Sequence, residues 1–484
     1  MKINGPSQVT REQRFDQYLT MLSEAVDHPD RAKALRDYCT GLLLPVERKS
    51  IEPIAAQIAP GKAKNKHQSL QQFITDAPWR DATVMRATRD FVLPVFERQG
   101  GVEASIVDDT GLPKQGKHSV GVARQYCGQL GKVTNCQVAV SLSLVNQWMS
   151  LPIAYDLYLP KEWAGDPERR KKAGAPEEIE FRTKPRIALE QIERAVEAGI
   201  ELGVICADAA YGDETDFRDR LTALHLRYCV GIRETTTVWE PGKGPLPPRA
   251  RSDRGRKPFL LRRDKRHQPV TVKELAQSLP EKSFRNLTWR EGAKGELSSR
   301  FAAVRVRPAH QDYRRREPRD EEWLLIEWPE GESAPTKYWL STLPRRSSKK
   351  ALVYFAKLRW RVERDYEELK QEAGLGHYEG RKWRGFHHHA TMCIVVYGFL
   401  VAERGLFPPR GVGSQSGFKE LAIPGGQRSD KSSGASRTTQ SNFNRNFAQR
   451  ADRHERTAAS TLPVLSTKTR HRDRRVITKF SMIT

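Results

Sequence analysis

The stretch from Phe355 to Ala373 contains no glycine or proline and is rich in helix formers, with Gly374 as its natural stop. On a helix, Phe355, Leu358, Val362, Tyr366, Leu369 and Ala373 form one apolar stripe. Lys357, Arg361, Arg364, Glu368 and Gln371 fall on the opposite, solvated side. A helix this amphipathic needs a core to lie on, so the chain must supply one from other elements. Arg359, Glu363 and Lys370 stand four and seven residues apart, which aligns them along the border of the stripe. A carboxylate between two cations at such a border suits metal-dependent phosphoryl transfer. Taken alone, the commoner reading of the same pattern is an ordinary i,i+4 ion pair.

At 484 residues the chain is long enough for two or three domains. Its 83 Lys+Arg against 59 Asp+Glu leave a formal charge of +24, which calls for a polyanionic partner. Nucleic acid fits that excess better than a membrane surface does. No apolar run is expected to reach the length of a spanning helix, and the first residues lack a signal-peptide layout. The six cysteines are scattered without a C-x-x-C pair, so they read as reduced core residues of a cytoplasmic, nucleoid-associated protein, and a zinc site is not expected.

Residues 1–100 read as a helical domain. Phe15, Tyr18, Leu19 and Leu22 form one apolar face, and Leu35, Tyr38 and Leu42 form a second. The basic turn Gly61–His67 between two short helices leaves open both a helix-turn-helix reader of DNA and a plain three-helix packing. From residue 101 the periodicity changes. Ala104–Val107, Asn135–Leu144, Met149–Leu159, Gly203–Ala207 and Arg227–Ile232 read as strands, with helices over Ile187–Ala198 and Asp213–Leu224. Strands alternating with helices predict an α/β domain over 101–234 that carries its chemistry at the sheet ends. Residues 235–340 read as a β-rich insertion whose arginine-dense flank includes Arg254, Arg256, Arg262 and Arg263. The α/β domain resumes over 341–407, and residues 408–484 read as a basic, disordered tail.

Three acids stand out: Asp109 and Asp208 at strand ends, and Glu363 on the long helix. Phosphoryl transfer on two metals needs carboxylates from separate elements converging on hard cations, for which Mg²⁺ or Mn²⁺ is suited and zinc is not. In Ile106-Val-Asp-Asp-Thr110, Val204-Ile-Cys-Ala-Asp208 and Arg359-x3-Glu363-x6-Lys370 the chain resembles bacterial insertion-sequence transposases of the DDE superfamily, in the branch with a Y-x2-R-x3-E-x6-K signature. The resemblance covers roughly residues 100–400. It implies a ribonuclease-H-like mixed sheet flanked by helices, two Mg²⁺ ions with Mn²⁺ as substitute, and cleavage at the ends of the element. Strand transfer of the freed 3′-hydroxyl and a homodimer on paired double-stranded DNA ends are implied as well.

The signature's tyrosine position is Ala356 here, so a hairpin intermediate does not carry over. Adjacent Asp108 and Asp109 face opposite ways on a strand. Asp109, which precedes Thr110 as in the family, is the expected ligand. Arg359, Lys370, Lys114, Lys117, Arg254, Arg256, Arg262 and Arg263 are the expected DNA contacts. His387–His389 read as a polar or DNA-facing patch, and Trp289 and Trp323 as core residues rather than base-stacking platforms. A nuclease or resolvase with the same metal site, and a non-catalytic DNA-binding descendant, are the competing functions.

Overall fold

The computed structural model describes residues 9–248, 259–292 and 295–407. Arg254, Arg256 and the expected tail lie outside the described residues. The strands are β1 (Ala104–Pro113), β2 (Ala123–Cys127), β3 (Lys132–Val145), β4 (Ser150–Leu157), β5 (Val204–Ala207), β6 (Tyr228–Ile232), β7 (Thr237–Trp239), β8 (Val270–Thr271), β9 (Arg285–Gly292), β10 (Gly295–Pro308), β11 (Glu322–Trp328) and β12 (Lys337–Ser341). They form one mixed sheet in the order β2-β3-β1-β5-β6-β12-β11-β10-β7-β8, with β4 on β3 and β9 on β10. The centre is parallel (β1, β5, β6) and the wings are antiparallel. Helices flank this sheet, as the α/β, ribonuclease-H-like expectation requires.

The strands of the expected β-rich insertion continue that sheet. Tyr338–Ser341 of β12 pair directly with Ile232–Cys229 of β6, so β9–β11 extend from the core rather than standing apart. β1 also runs further than its apolar residues suggest, because all ten of its residues pair with β3. Asp108 and Asp109 therefore lie within the strand, not at its end.

Five N-terminal helices, α1 (Arg11–Glu24), α2 (Pro29–Leu43), α3 (Ile51–Ile58), α4 (Ala63–Thr75) and α5 (Asp81–Arg98), begin from local signals. Thr10 and Gln13 form a capping box on α1, and Pro29 occupies the first turn of α2. The expected basic turn is helical from Ala63 onward, and Lys66 is spent on Asp37, 2.5 Å away. Their apolar faces, with β4, enclose the helix Trp383–Leu406. That helix is long and apolar enough to cross a membrane by length and composition, contrary to the expectation that no run would be. Its apolar window is wholly buried in this fold, which is why it is apolar all round.

His387, His388 and His389 lie on this helix and are buried, so they are not a DNA-facing patch. His388 places its two ring nitrogens against the Ile74 and Trp79 carbonyls, both at 3.0 Å, and stacks on the Trp79 ring. His389 bonds Tyr38 and the Gly374 carbonyl. All six cysteines are buried and free of disulfides.

Candidate active site

The pairing register decides which aspartates meet. β1 and β5 are parallel, with Ile106 opposite Cys206. Two residues further on come Asp108, still within β1, and Asp208, just past the end of β5, and both reach the same Arg359 nitrogen. β5 ends at Ala207, so the sheet opens there, at the carboxyl end of its parallel strands. Asp208 turns the chain into the next helical turn by accepting a hydrogen bond from the Ala210 amide at 2.8 Å. Gly231 of β6 has no room for a side chain beside that turn: a Cβ there would lie 2.9 Å from the Ala209 nitrogen.

The third acid arrives on a helix laid over the same face. The continuous helix expected from Phe355 to Ala373 is two helices, Lys349–Lys357 and Trp360–Gln371, with Leu358 and Arg359 at the junction. Leu358 and Arg359 keep right-handed backbone angles, so the i,i+4 relation of Arg359 to Glu363 survives. Tyr366 pins the second helix down by bonding Ser141, the β3 partner of Asp108. Lys357 is not solvated as expected. Both Glu327 carboxylate oxygens lie 2.6 Å from its ammonium, and the Trp289 ring lies beneath it, 4.4 Å away. Trp323 bonds the Pro344 carbonyl, so both tryptophans are packed side chains.

Arg359 draws the three acids together. Its Nη1 lies 2.7 Å from Asp108 and 4.0 Å from Asp208, and its Nη2 lies 2.9 Å from Glu363. Burial pushes the Asp108 carboxyl up to about 7 against the pull of Arg359, with Asp109 and Asp208 adding to the rise. Asp109 points the other way. Its Oδ2 pairs with Lys184 at 3.1 Å and accepts from the Tyr211 hydroxyl at 3.2 Å. The aspartate beside Arg359 is thus Asp108 rather than the expected Asp109, because adjacent residues of β1 face opposite sides of the sheet. The deciding fact, Ile106 standing opposite Cys206, is a pairing between distant residues that no local pattern marks. Lys184 and Tyr211 carried no motif that would have marked them.

Several expected DNA contacts are tied internally. Lys370 donates to the Gly111 carbonyl at 3.0 Å, and burial lowers its pKa. Lys114 donates to the Tyr378 carbonyl, and burial pushes it down to about 8. Arg263 is held by the buried Asp312 at 2.7 Å. Arg262 bonds the Pro247 carbonyl, whereas Lys117 is exposed.

The acids offer only hard oxygen donors, which fits a divalent ion of the Mg²⁺ type. Among the described residues, no three His, Cys, Asp or Glu side chains stand close enough to hold one ion, since Arg359 sits in their midst. That guanidinium supplies positive charge to the clustered acids.

The sequence model described as DDE superfamily endonuclease matches residues 21–296, more than half of the chain. The match includes Asp108, Asp109 and Asp208 and stops before Glu363. A probable transposase for insertion sequence element IS701 from Microchaete diplosiphon is 33% identical over 200 residues, which is 41% of this chain and 48% of that relative. The chain thus matches about half the length of this curated relative.

Proposed function

The chain belongs to the DDE superfamily endonucleases, and from that premise we propose that it is a DNA transposase, cutting at the ends of an insertion sequence and transferring the 3′-hydroxyl into target DNA. The observation that carries this reading is the convergence of Asp108 on β1, Asp208 just past β5 and Glu363 on a helix on the single guanidinium of Arg359. Likeness to the IS701 transposase supports the choice of substrate and reaction, and the charge of +24 suits a duplex held by its phosphates.

The family works with divalent metal ions. In this reading Asp108, Asp208 and Glu363 would hold two Mg²⁺ ions, or Mn²⁺ in their place, where the Arg359 guanidinium now lies between them. Such ions lower the pKa of the attacking water or 3′-hydroxyl and stabilise the leaving oxygen. The protein's own residues do the positioning. Tyr366 and Ser141 fix the helix against β1, the cap at Ala210 fixes Asp208, and Arg359 offers its planar fork to a phosphate oxygen. Two copies act on paired ends.

The test is a joining assay. Purified protein is incubated with a labelled duplex bearing the element's terminal repeats, a supercoiled target plasmid and Mg²⁺. Labelled duplex covalently joined to plasmid is the expected result. Cleavage without joining would assign a nuclease or resolvase instead, and binding without cleavage would assign a non-catalytic DNA-binding protein.

A further inference from the structure

β2 and the start of β3 form a two-stranded ribbon at the end of the sheet. β1 pairs with β3 only as far as Pro113 opposite Cys136, and β4 pairs with it only from Ala139. Beyond Cys136, the strand partner of β3 is β2, in register from Ala123–Cys136 to Cys127–Lys132. A ribbon of five residue pairs is roughly 17 Å long. The ribbon curls back so that its turn end packs against the catalytic strand: a Cβ on Gly111 would lie 2.8 Å from the sulfur of Cys127, the β2 residue next to the turn. Gly111 is three residues past Asp108 on β1, roughly 10 Å along the strand.

Of the nine large hydrophobic side chains exposed among the described residues, three are on this hairpin: Tyr126 at 63%, Val133 at 54% and Leu130 at 45%. Tyr126 and Val133 are direct cross-strand partners and share a face, with Arg124 two residues along on the same face. Leu130 is in the turn, and Lys132 is exposed beside it. The core accounts for none of these positions. The hairpin's own charge is one-sided: between Ala123 and Cys136 it carries Arg124 and Lys132 and no Asp or Glu. An exposed hairpin that carries cations and no acids suits a polyanion.

We propose that this ribbon is a duplex-DNA contact that enters the major groove of the DNA held at the carboxylate centre. The inference rests on the DNA-cleaving reading above and deepens it by naming the surface. A major groove about 12 Å wide admits a two-stranded ribbon. Tyr126, Leu130 and Val133 face base edges, where apolar side chains meet thymine methyl groups, and Arg124 and Lys132 face phosphates.

The test uses the full-length chain and a duplex carrying the terminal repeats. A photoreactive phenylalanine analogue at position 126 or 133 is irradiated with labelled duplex, and crosslinking to DNA is the expected result. In parallel, Arg124→Ala/Lys132→Ala is titrated with duplex over a range of salt. Losing two phosphate contacts should flatten the slope of log affinity against log salt by about two and weaken binding at least about tenfold at moderate salt. Its thermal melt should match wild type, because both side chains are exposed. If that variant misfolds, the crosslink in the otherwise unaltered chain decides. Crosslinks to a second copy of the chain, or none to DNA while the wild type binds duplex, would overturn the ribbon assignment alone. A wild type that binds no duplex even at low salt would overturn the DNA reading with it.

Discussion

Asp108→Asn should pull activity and stability in opposite directions. Burial raises the Asp108 carboxyl from 3.8 to about 7, with Arg359 opposing the rise. A carboxyl whose folded value is raised favours folding while protonated. That advantage is present below the unfolded value and is lost as pH climbs through the folded one. A rise from 3.8 to about 7 corresponds to roughly 4 kcal/mol of destabilisation, fully developed above pH 7. Asparagine cannot ionise and escapes it. Arg359 then loses its 2.7 Å partner but keeps Glu363 at 2.9 Å and Asp208 at 4.0 Å, which returns part of the gain as a loss. Net, metal-free Asp108→Asn should be more stable than wild type at pH 8 by about 1–3 kcal/mol, and the difference should vanish near pH 4. Its metal-dependent nicking should fall roughly a thousandfold or more, the cost of several kcal/mol of lost charge stabilisation. Denaturant unfolding in a chelator at both pH values and nicking of an end duplex in Mn²⁺ measure the two effects. Asp109→Asn loses a partly exposed ion pair to Lys184, worth about 0.2–1 kcal/mol, keeps a side-chain oxygen for the Tyr211 hydroxyl, and should still nick. An active Asp108→Asn beside an inactive Asp109→Asn would refute the register argument.

Lys357→Met strands the Glu327 carboxylate, whose side chain is only 4% exposed, and should cost about 3–5 kcal/mol; adding Glu327→Met should recover much of it. Denaturant midpoints of the three variants check this, and an unchanged midpoint for Lys357→Met alone would contradict it. Burial pushes His388 and His389 down to about 4, against the pull of their carbonyl partners. Between pH 6.5 and 4 the unfolded chain therefore binds more protons than the folded one. Stability should fall on acidification through that window, by up to about 1.4 kcal/mol per pH unit for each ring. Replacing both rings should flatten the slope, and equal wild-type stability at pH 6.5 and 4.5 would count against their buried, neutral state.

The order of helices and strands was legible because burial writes its period locally: the apolar runs of β5 and β6 and the stripe from Phe355 to Ala373 carry their own signal. Asp208 and the Arg359–Glu363 spacing were legible for the same reason. The choice between Asp108 and Asp109 was not, because it depends on which residue of β5 stands opposite Ile106, a pairing between positions about a hundred residues apart. The roles of Lys114, Lys370 and Arg263 were hidden differently. A cation that ties down a carbonyl or a buried acid has the same letter as one that meets phosphate, and only the fold separates them. The histidines misled because three polar side chains in a row look like surface until each finds a carbonyl or hydroxyl inside.

Glu363 is where the account is most exposed to test, since the family match ends at residue 296 and the Glu363 side chain, 59% exposed, touches only its i,i+4 neighbour among the ion pairs described. Glu363→Gln preserves size and helix propensity while removing the charge a hard cation needs. Single-turnover nicking of a pre-bound end duplex, with Glu367→Gln as control, measures its role directly. If Glu363 completes the centre with Asp108 and Asp208, duplex affinity stays within a few-fold of wild type, the control nicks normally, and Glu363→Gln nicks roughly a thousandfold more slowly or worse. A near-normal nicking rate for Glu363→Gln would reduce it to the partner of Arg359 and contradict the three-carboxylate centre.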